Sequence, residues 1–188
     1  MASFSSDTNV SSWRTWIDDS LSIDSTAEDR TLVELTGTSD ANNLVTFYLD
    51  ISLVDALSNS IEVIPPAGNC TQTANSEVSQ CQSISCVPPV GWQCPASNRF
   101  DIFLDGESYL PTYLSTNQSC LSNCTVYQTD EACCKGQYAN ATACSNSSPE
   151  LKQACGEAYS YAFDDTSSTY VWSLPLQAKV IVEIVACP

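Results

Sequence analysis

Apolar and polar positions alternate with a period of two in three runs early in the chain and again near its end. "TLVELT" (31–36), "LVTFYLDISLVD" (44–55) and "SIEVIP" (60–65) are rich in β-branched and aromatic residues, with Asn, Asp and Ser clusters between them. That combination predicts strands joined by turns. "YSYAF" (159–163), "STYVWSL" (168–174) and "AKVIVEIVAC" (178–187) read the same way. In the last run Lys179, Ile181 and Glu183 alternate with Val180, Val182 and Ile184, the pattern of a half-exposed strand. Residues 1–30 have no such period. They are rich in Ser and Asp and predict loop or disorder.

Between the two sets of strands, residues 66–156 are rich in Ser, Asn, Pro and Cys, and too poor in apolar residues to order themselves by burial alone. Two short helices are expected there. "TDEACC" has Thr129 as N-cap and acids in its first turn, and "SPELKQAC" has Ser148 as N-cap with Pro149 at the first helical position. Strands, a cysteine-rich insertion, then strands again predict a mainly β protein: a β-sandwich (31–65 and 157–188) with a disulfide-rich excursion (66–156).

The 188 residues suffice for one domain with a substantial core. Eleven cysteines in that length point to an oxidising compartment and a disulfide framework. Zinc fits less well, since histidine is absent and the cysteines do not form two CxxC pairs. Absence of histidine also excludes Ser-His and Cys-His nucleophiles, so any catalysis falls to carboxylates. Those are abundant: 22 Asp and Glu against 6 Lys and Arg give a net charge of −16. This balance argues against nucleic acid and anionic lipid as partners, and no apolar run is long enough to span a membrane. No cofactor or metal is expected. Six Asn-x-Ser/Thr sequons, at Asn9, Asn69, Asn117, Asn123, Asn140 and Asn146, join the cysteines in predicting a secreted glycoprotein, although "MASFSSDTNVSSW" is not a signal peptide.

The stretch "AYSYAFDDTSST" (158–169), the terminal "CP" (187–188), "LDISLVD" (49–55), "TLVEL" (31–35), "CQSISC" (81–86) and the paired cysteines 133–134 together resemble the thaumatin-like family, which includes osmotin and the pathogenesis-related family 5 proteins. The resemblance runs from about Thr31 to Pro188 and implies a flattened β-sandwich with a disulfide-rich second domain and a cleft between them. The N-terminal part of the family pattern, with its Arg, has no counterpart in this reading, and Arg14 and Arg30 are assigned no role. The resemblance implies disulfides Cys86–Cys155, Cys94–Cys120, Cys124–Cys133 and Cys134–Cys144. Trp172 stands where the family has the partner of Cys81, which leaves Cys81 to pair with Cys70. Cys187 is then left over, in a monomer with a free thiol or in a disulfide-linked dimer, beside a sheet edge lacking its partner strand.

The family cleft is acidic and associated with β-1,3-glucan binding, antifungal action and, in places, weak glucan hydrolysis. Carried over by motif, its carboxylates are Glu34, Asp50, Asp55 and Asp164, with Asp165 left to the turn. Alternation adds a condition: Asp50 and Asp55 lie an odd number of residues apart, so one cleft takes both only where a bulge or strand end re-aims one. Tyr159, Tyr161, Phe163, Tyr170 and Trp172 are either sugar-stacking walls or core. Two functions follow. One is binding of β-glucan or a related wall polysaccharide. The other is a slow glycoside hydrolase with Glu34 as acid and Asp50 as its partner, the two-carboxylate arrangement that chemistry requires. An incomplete, inactive structural member is a third reading.

Overall fold

A computed structural model describes residues 2–5, 13–16, 30–39, 44–66, 70–74, 77–101, 118–175 and 179–184. The strands in chain order are β1 (Ala2–Ser5), β2 (Trp13–Trp16), β3 (Leu32–Ser39), β4 (Leu44–Ser52), β5 (Ala56–Leu57), β6 (Ile61–Ile64), β7 (Thr71–Ala74), β8 (Glu77–Gln80), β9 (Ile84–Cys86), β10 (Arg99–Asp101), β11 (Gln118–Leu121), β12 (Tyr170–Pro175) and β13 (Lys179–Ile184). Three short helices, α1 (Asn123–Tyr127), α2 (Pro149–Ala154) and α3 (Asp165–Ser168), lie between β11 and β12. Every ladder is antiparallel. A six-stranded sheet has the order β2-β3-β4-β12-β7-β8, a four-stranded sheet the order β1-β13-β6-β9, and a small sheet the order β10-β11-β5.

Alternation explains the two larger sheets. In β4, Val45, Phe47, Leu49 and Ile51 are buried, while Leu44 and Tyr48 on the other parity are exposed. β3 contributes Val33 and Leu35 to the same side, and β12 contributes Trp172 and Leu174. Ile61, Val63, Ile84 and Cys86 of the four-stranded sheet join these residues in one apolar cluster. This is a β-sandwich. Trp172, with no exposed surface, belongs to that core rather than to a sugar-binding wall. Its indole Nε1–H donates to Gln72 Oε1 at 3.0 Å, which satisfies the ring's one polar atom.

Five disulfides close as Cys70–Cys81, Cys86–Cys155, Cys94–Cys120, Cys124–Cys133 and Cys134–Cys144. Cys70–Cys81 brackets the β7–β8 hairpin, and Cys86–Cys155 ties β9 to the end of α2. Cys187 lies outside the described residues, as do Asn9, Asn69 and Asn117.

The structure differs from the sequence reading at several places. Residues 1–30, expected as loop, hold β1 and β2, which cover β13 and β3; pairing, not periodicity, recruits them. The sandwich reaches past residue 66, because β7, β8 and β9 complete the two large sheets. "YSYAF" is not a strand: only Tyr159 bridges to Ser52, with Leu53 N–H donating to Tyr159 O at 2.7 Å, and the chain then turns. "TDEACC" is a run of turns in which Thr129 Oγ1 accepts from Ala132 N–H. The short helix before it, α1, has Ser122 as its N-cap, accepting from Thr125 N–H at 3.1 Å. α2 starts at Pro149 as expected, but Ser148 Oγ accepts from Asn123 N–H instead of capping α2.

Candidate functional site

The β3–β4 ladder places Glu34 directly opposite Asp50. Directly opposed residues share a face, and Val33, Leu35, Leu49 and Ile51 on either side of them point inward. Glu34 and Asp50 therefore stand on the outer face of the six-stranded sheet, and both are half-buried. The β2–β3 ladder adds Arg14, whose register position is directly opposite Glu34. The backbone thus lines up Arg14, Glu34 and Asp50 in one row across three strands. Sequence reading left Arg14 without a role because it lies outside the stretch that the resemblance matches; its register position comes from strand pairing.

Asp55 is not in the ladder. β4 ends at Ser52, the chain bends at Val54 and Asp55, and β5 begins at Ala56. The strand thus ends between Asp50 and Asp55, so strict alternation does not run from one to the other. The Asp55 carbonyl is anchored by Ser122 N–H at 2.8 Å and Thr125 Oγ1–H at 2.9 Å, which ties this corner to α1 of the disulfide-rich segment.

The resemblance put Asp164 in the cleft and left Asp165 to the turn, and Asp165 does open the short helix α3. Asp164 is 7% exposed and sits in a polar knot. Its carboxylate accepts from Lys152 Nζ at 2.9 Å, from Ser160 N–H at 3.1 Å, from Ser160 Oγ at 3.0 Å and from Ser167 Oγ at 2.5 Å. Lys152 Nζ also donates to Ala158 O and to the Ser167 and Ser168 hydroxyls. Burial pushes the Asp164 carboxyl up, but the bonds from Ser167, Lys152 and Ser160 outweigh it and hold the group below the ordinary range. This carboxylate joins α2 to the turn before α3, a structural task.

Asp165 is exposed and accepts from Tyr159 Oη–H at 2.7 Å, while Tyr159 Oη lies 2.6 Å from Thr169 Oγ1. The Tyr159 hydroxyl is pushed well above the ordinary tyrosine value, chiefly by burial, with the charges of Asp165 and Asp50 acting in the same direction. Tyr159 therefore stays a neutral donor and acceptor near both carboxylates. It connects the row on the sheet to the segment that follows the disulfide-rich region. Tyr170, packed against the core, is pushed up to about 12, first by burial and then by the charge of Glu157.

Among the described residues, no three Cys, Asp or Glu side chains are grouped to hold a metal ion, and no helix is long and apolar enough to cross a membrane. What the site offers is a polar strip of two opposed carboxylates, an arginine position and a tyrosine hydroxyl.

The thaumatin family model matches residues 21–188, nearly the whole chain and all of the sandwich beyond β2. The protein belongs to the thaumatin family. The match opens at residue 21, so residues 21–30, unassigned by the sequence reading, fall within the family region. Among curated relatives, a pathogenesis-related thaumatin-like protein 3.7 of Cryptomeria japonica is 35% identical over 140 residues, covering 74% of this chain and 48% of the relative. Thaumatin-like protein 1 of Arabidopsis thaliana is 32% identical over 145 residues, covering 74% and 47%. A thaumatin-like protein of Actinidia deliciosa is 31% identical over 134 residues, covering 71% and 47%. The chain thus spans about half the length of the curated thaumatin-like proteins it matches.

Proposed function

We propose that this thaumatin-family chain acts outside the cell and binds β-1,3-glucan or a related wall polysaccharide along the strip made by Glu34 and Asp50. The observation that carries this reading is the direct opposition of the two carboxylates on the outer face of β3 and β4. Ionised carboxylates accept hydrogen bonds only, and a sugar chain offers donors at every ring. Tyr159 supplies a neutral hydroxyl near Asp50, Asp165 accepts from that hydroxyl, and in this reading Asp55 adds a further acceptor. The five disulfides suit an oxidising extracellular setting. The pathogenesis-related names among the relatives support a defence role, with wall binding as its physical basis.

The test is retention of the disulfide-bonded protein on insoluble β-1,3-glucan near pH 5, with cellulose and chitin as controls. Retention on the β-1,3-glucan above both controls is expected. No retention on any of the three overturns the polysaccharide reading, and preference for chitin or cellulose overturns the choice of glucan.

A second reading is favoured by one feature of the same pair. Opposed residues on antiparallel strands have Cβ atoms roughly 4.5–5.5 Å apart, and the carboxyl groups carried beyond them can settle at a similar spacing. Retaining glycosidases hold their two carboxyl groups about 5–5.5 Å apart, whereas inverting ones need a wider gap for water. If the strip hydrolyses glucan, Glu34 is the acid and Asp50 the nucleophile, the linkage is cut with retention, and turnover is slow. Release of α-configured sugar at the new reducing end would refute that stereochemistry.

A further inference from the structure

Three Asn-x-Ser/Thr sequons lie among the described residues, and the structure treats their amides differently. Asn123 opens α1 and is built into the fold on both sides of its amide. Its Nδ2 donates to Ser147 O, and its Oδ1 accepts from Asn98 Nδ2 at 2.8 Å. Its sequon hydroxyl, Thr125 Oγ1, is committed to Asp55 O at 2.9 Å. Asn146 is also engaged. Its Nδ2 donates to Ser160 Oγ at 2.8 Å, its Oδ1 accepts from Ser148 N–H at 2.8 Å, and the sequon hydroxyl of Ser148 is buried. Both amides thus brace the seam between α1, the turn before α2 and the Asp164 knot.

Asn140 is arranged differently. It is exposed, and so are Ala141 and Thr142 after it. Its Oδ1 accepts from Thr142 N–H at 3.1 Å and Ala143 N–H at 2.9 Å, an Asx turn that fixes the side chain through its oxygen alone. Among the described residues none accepts a hydrogen bond from Nδ2, and the residue as a whole is exposed. A substituent on that nitrogen would leave the turn intact, because a secondary amide keeps its carbonyl acceptor.

We propose that Asn140 is the one of these three sequons that carries an N-linked glycan in the folded protein, and that Asn123 and Asn146 stay unmodified. The donor is an oligosaccharide linked through pyrophosphate to a membrane lipid, the substrate class of sequon glycosylation in the secretory pathway. The Nδ2–C1 bond forms, the C1–oxygen bond to pyrophosphate breaks, the nitrogen releases one proton, and the lipid pyrophosphate leaves with the bonding pair. Transfer acts on chains still folding, so the structure selects afterwards. A sugar on Asn123 would occupy the space of the Ser147 carbonyl, and one on Asn146 the space of the Ser160 hydroxyl. Chains so modified cannot close the seam and are lost from the folded pool. Asn140 sits inside the Cys134–Cys144 ring.

The full chain, directed into the secretory pathway of yeast, would be purified as folded, disulfide-bonded protein. Enzymatic release of N-glycans in heavy-oxygen water then converts each occupied Asn to a mass-tagged Asp, read by peptide mass spectrometry. The tag is expected at Asn140 and absent from Asn123 and Asn146. Asn140→Gln should remove one glycan's mass with folded yield unchanged. Asn123→Gln and Asn146→Gln should leave glycan mass unchanged and lower the folded yield at least twofold. An untagged Asn140, or a tag at Asn123 or Asn146 in the folded fraction, overturns the proposal.

Discussion

The β3–β4–β12 part of the sandwich and the segment from β11 to α2 reach order by opposite means. In the first, backbone regularity and apolar burial coincide: Val33, Leu49, Ile51, Trp172 and Leu174 are fully buried on one side of a continuous antiparallel ladder. In the second, the regular pieces beyond β11 are a five-residue and a six-residue helix, and order comes from four disulfide attachments at Cys94–Cys120, Cys124–Cys133, Cys134–Cys144 and Cys86–Cys155, side-chain caps and buried amides. Gln128 and Cys134 there adopt left-handed backbone with φ of 50° and 55°. Such a conformation in a non-glycine residue costs roughly 1 kcal/mol or more, which surrounding constraints must offset. A repeating apolar pattern can specify a sheet, whereas an irregular segment needs covalent and polar ties placed one by one. The proposed function joins the two: the sheet supplies Glu34 and Asp50, and the irregular segment positions Tyr159 and Asp165 against them.

The sharpest break in this comparison is expected in the sheet. Trp172→Ala removes the largest fully buried side chain and should cost about 4 kcal/mol of unfolding free energy, in the range for aromatic-to-alanine changes in a core. Chemical denaturation of the oxidised protein measures it. A loss under about 1 kcal/mol would mean that apolar burial is not what holds the sandwich.

The disulfides should grade by the loop each one closes. Cys86–Cys155 spans 69 residues and Cys124–Cys133 only 9. Loop entropy then assigns about 4 kcal/mol to the first and about 2.5 kcal/mol to the second. Paired Cys→Ser variants, compared in the same denaturant series, test the order. Equal losses, or a larger loss for the short loop, would remove the distinction between a tie across regions and a tie within one.

Next in size is the Asp164 knot. Lys152→Met leaves a buried carboxylate without its cation and should cost about 3 kcal/mol near neutral pH. The Asp164 carboxyl is held below its ordinary value of 3.8 in the folded protein. Its contribution is therefore fully present above that value and fades as pH falls through the lower folded value. The gap between parent and variant should shrink below about pH 4. Thermal unfolding at stepped pH reads this directly, and a gap that stays constant into strong acid would contradict the ion-pair account.

How the sequence carried this information follows the same division. β3, β4, β6 and β12 were readable because each buries one face and so writes a two-residue period, and β13 carries the same period in its sequence. α1 was not, since "NCTVY" holds no strong helix former and the turn is imposed by Ser122 and the Cys124–Cys133 bond. Neither was β2, which exists because β3 offers an edge. Motif resemblance named Glu34 and Asp50 together, and strand pairing makes them neighbours. The burial of Asp164 was not legible: it goes with a contact to Lys152, twelve residues away on α2, and no local pattern records that contact. Arg14 was missed because it lies outside the stretch that the resemblance matches, its place being a property of the ladder.

The most direct test of the carboxylate strip is calorimetric titration of a soluble linear β-1,3-glucan oligosaccharide into the parent protein and into Glu34→Gln and Asp50→Asn. Each substitution keeps the size of the side chain and removes a charged acceptor. Loss of a charge-assisted hydrogen bond is worth about 1.5–3 kcal/mol, so each variant should bind roughly tenfold or more weakly. The thermal unfolding midpoint should move little. Affinities equal to the parent's in both variants would contradict the account and place the sugar on another surface.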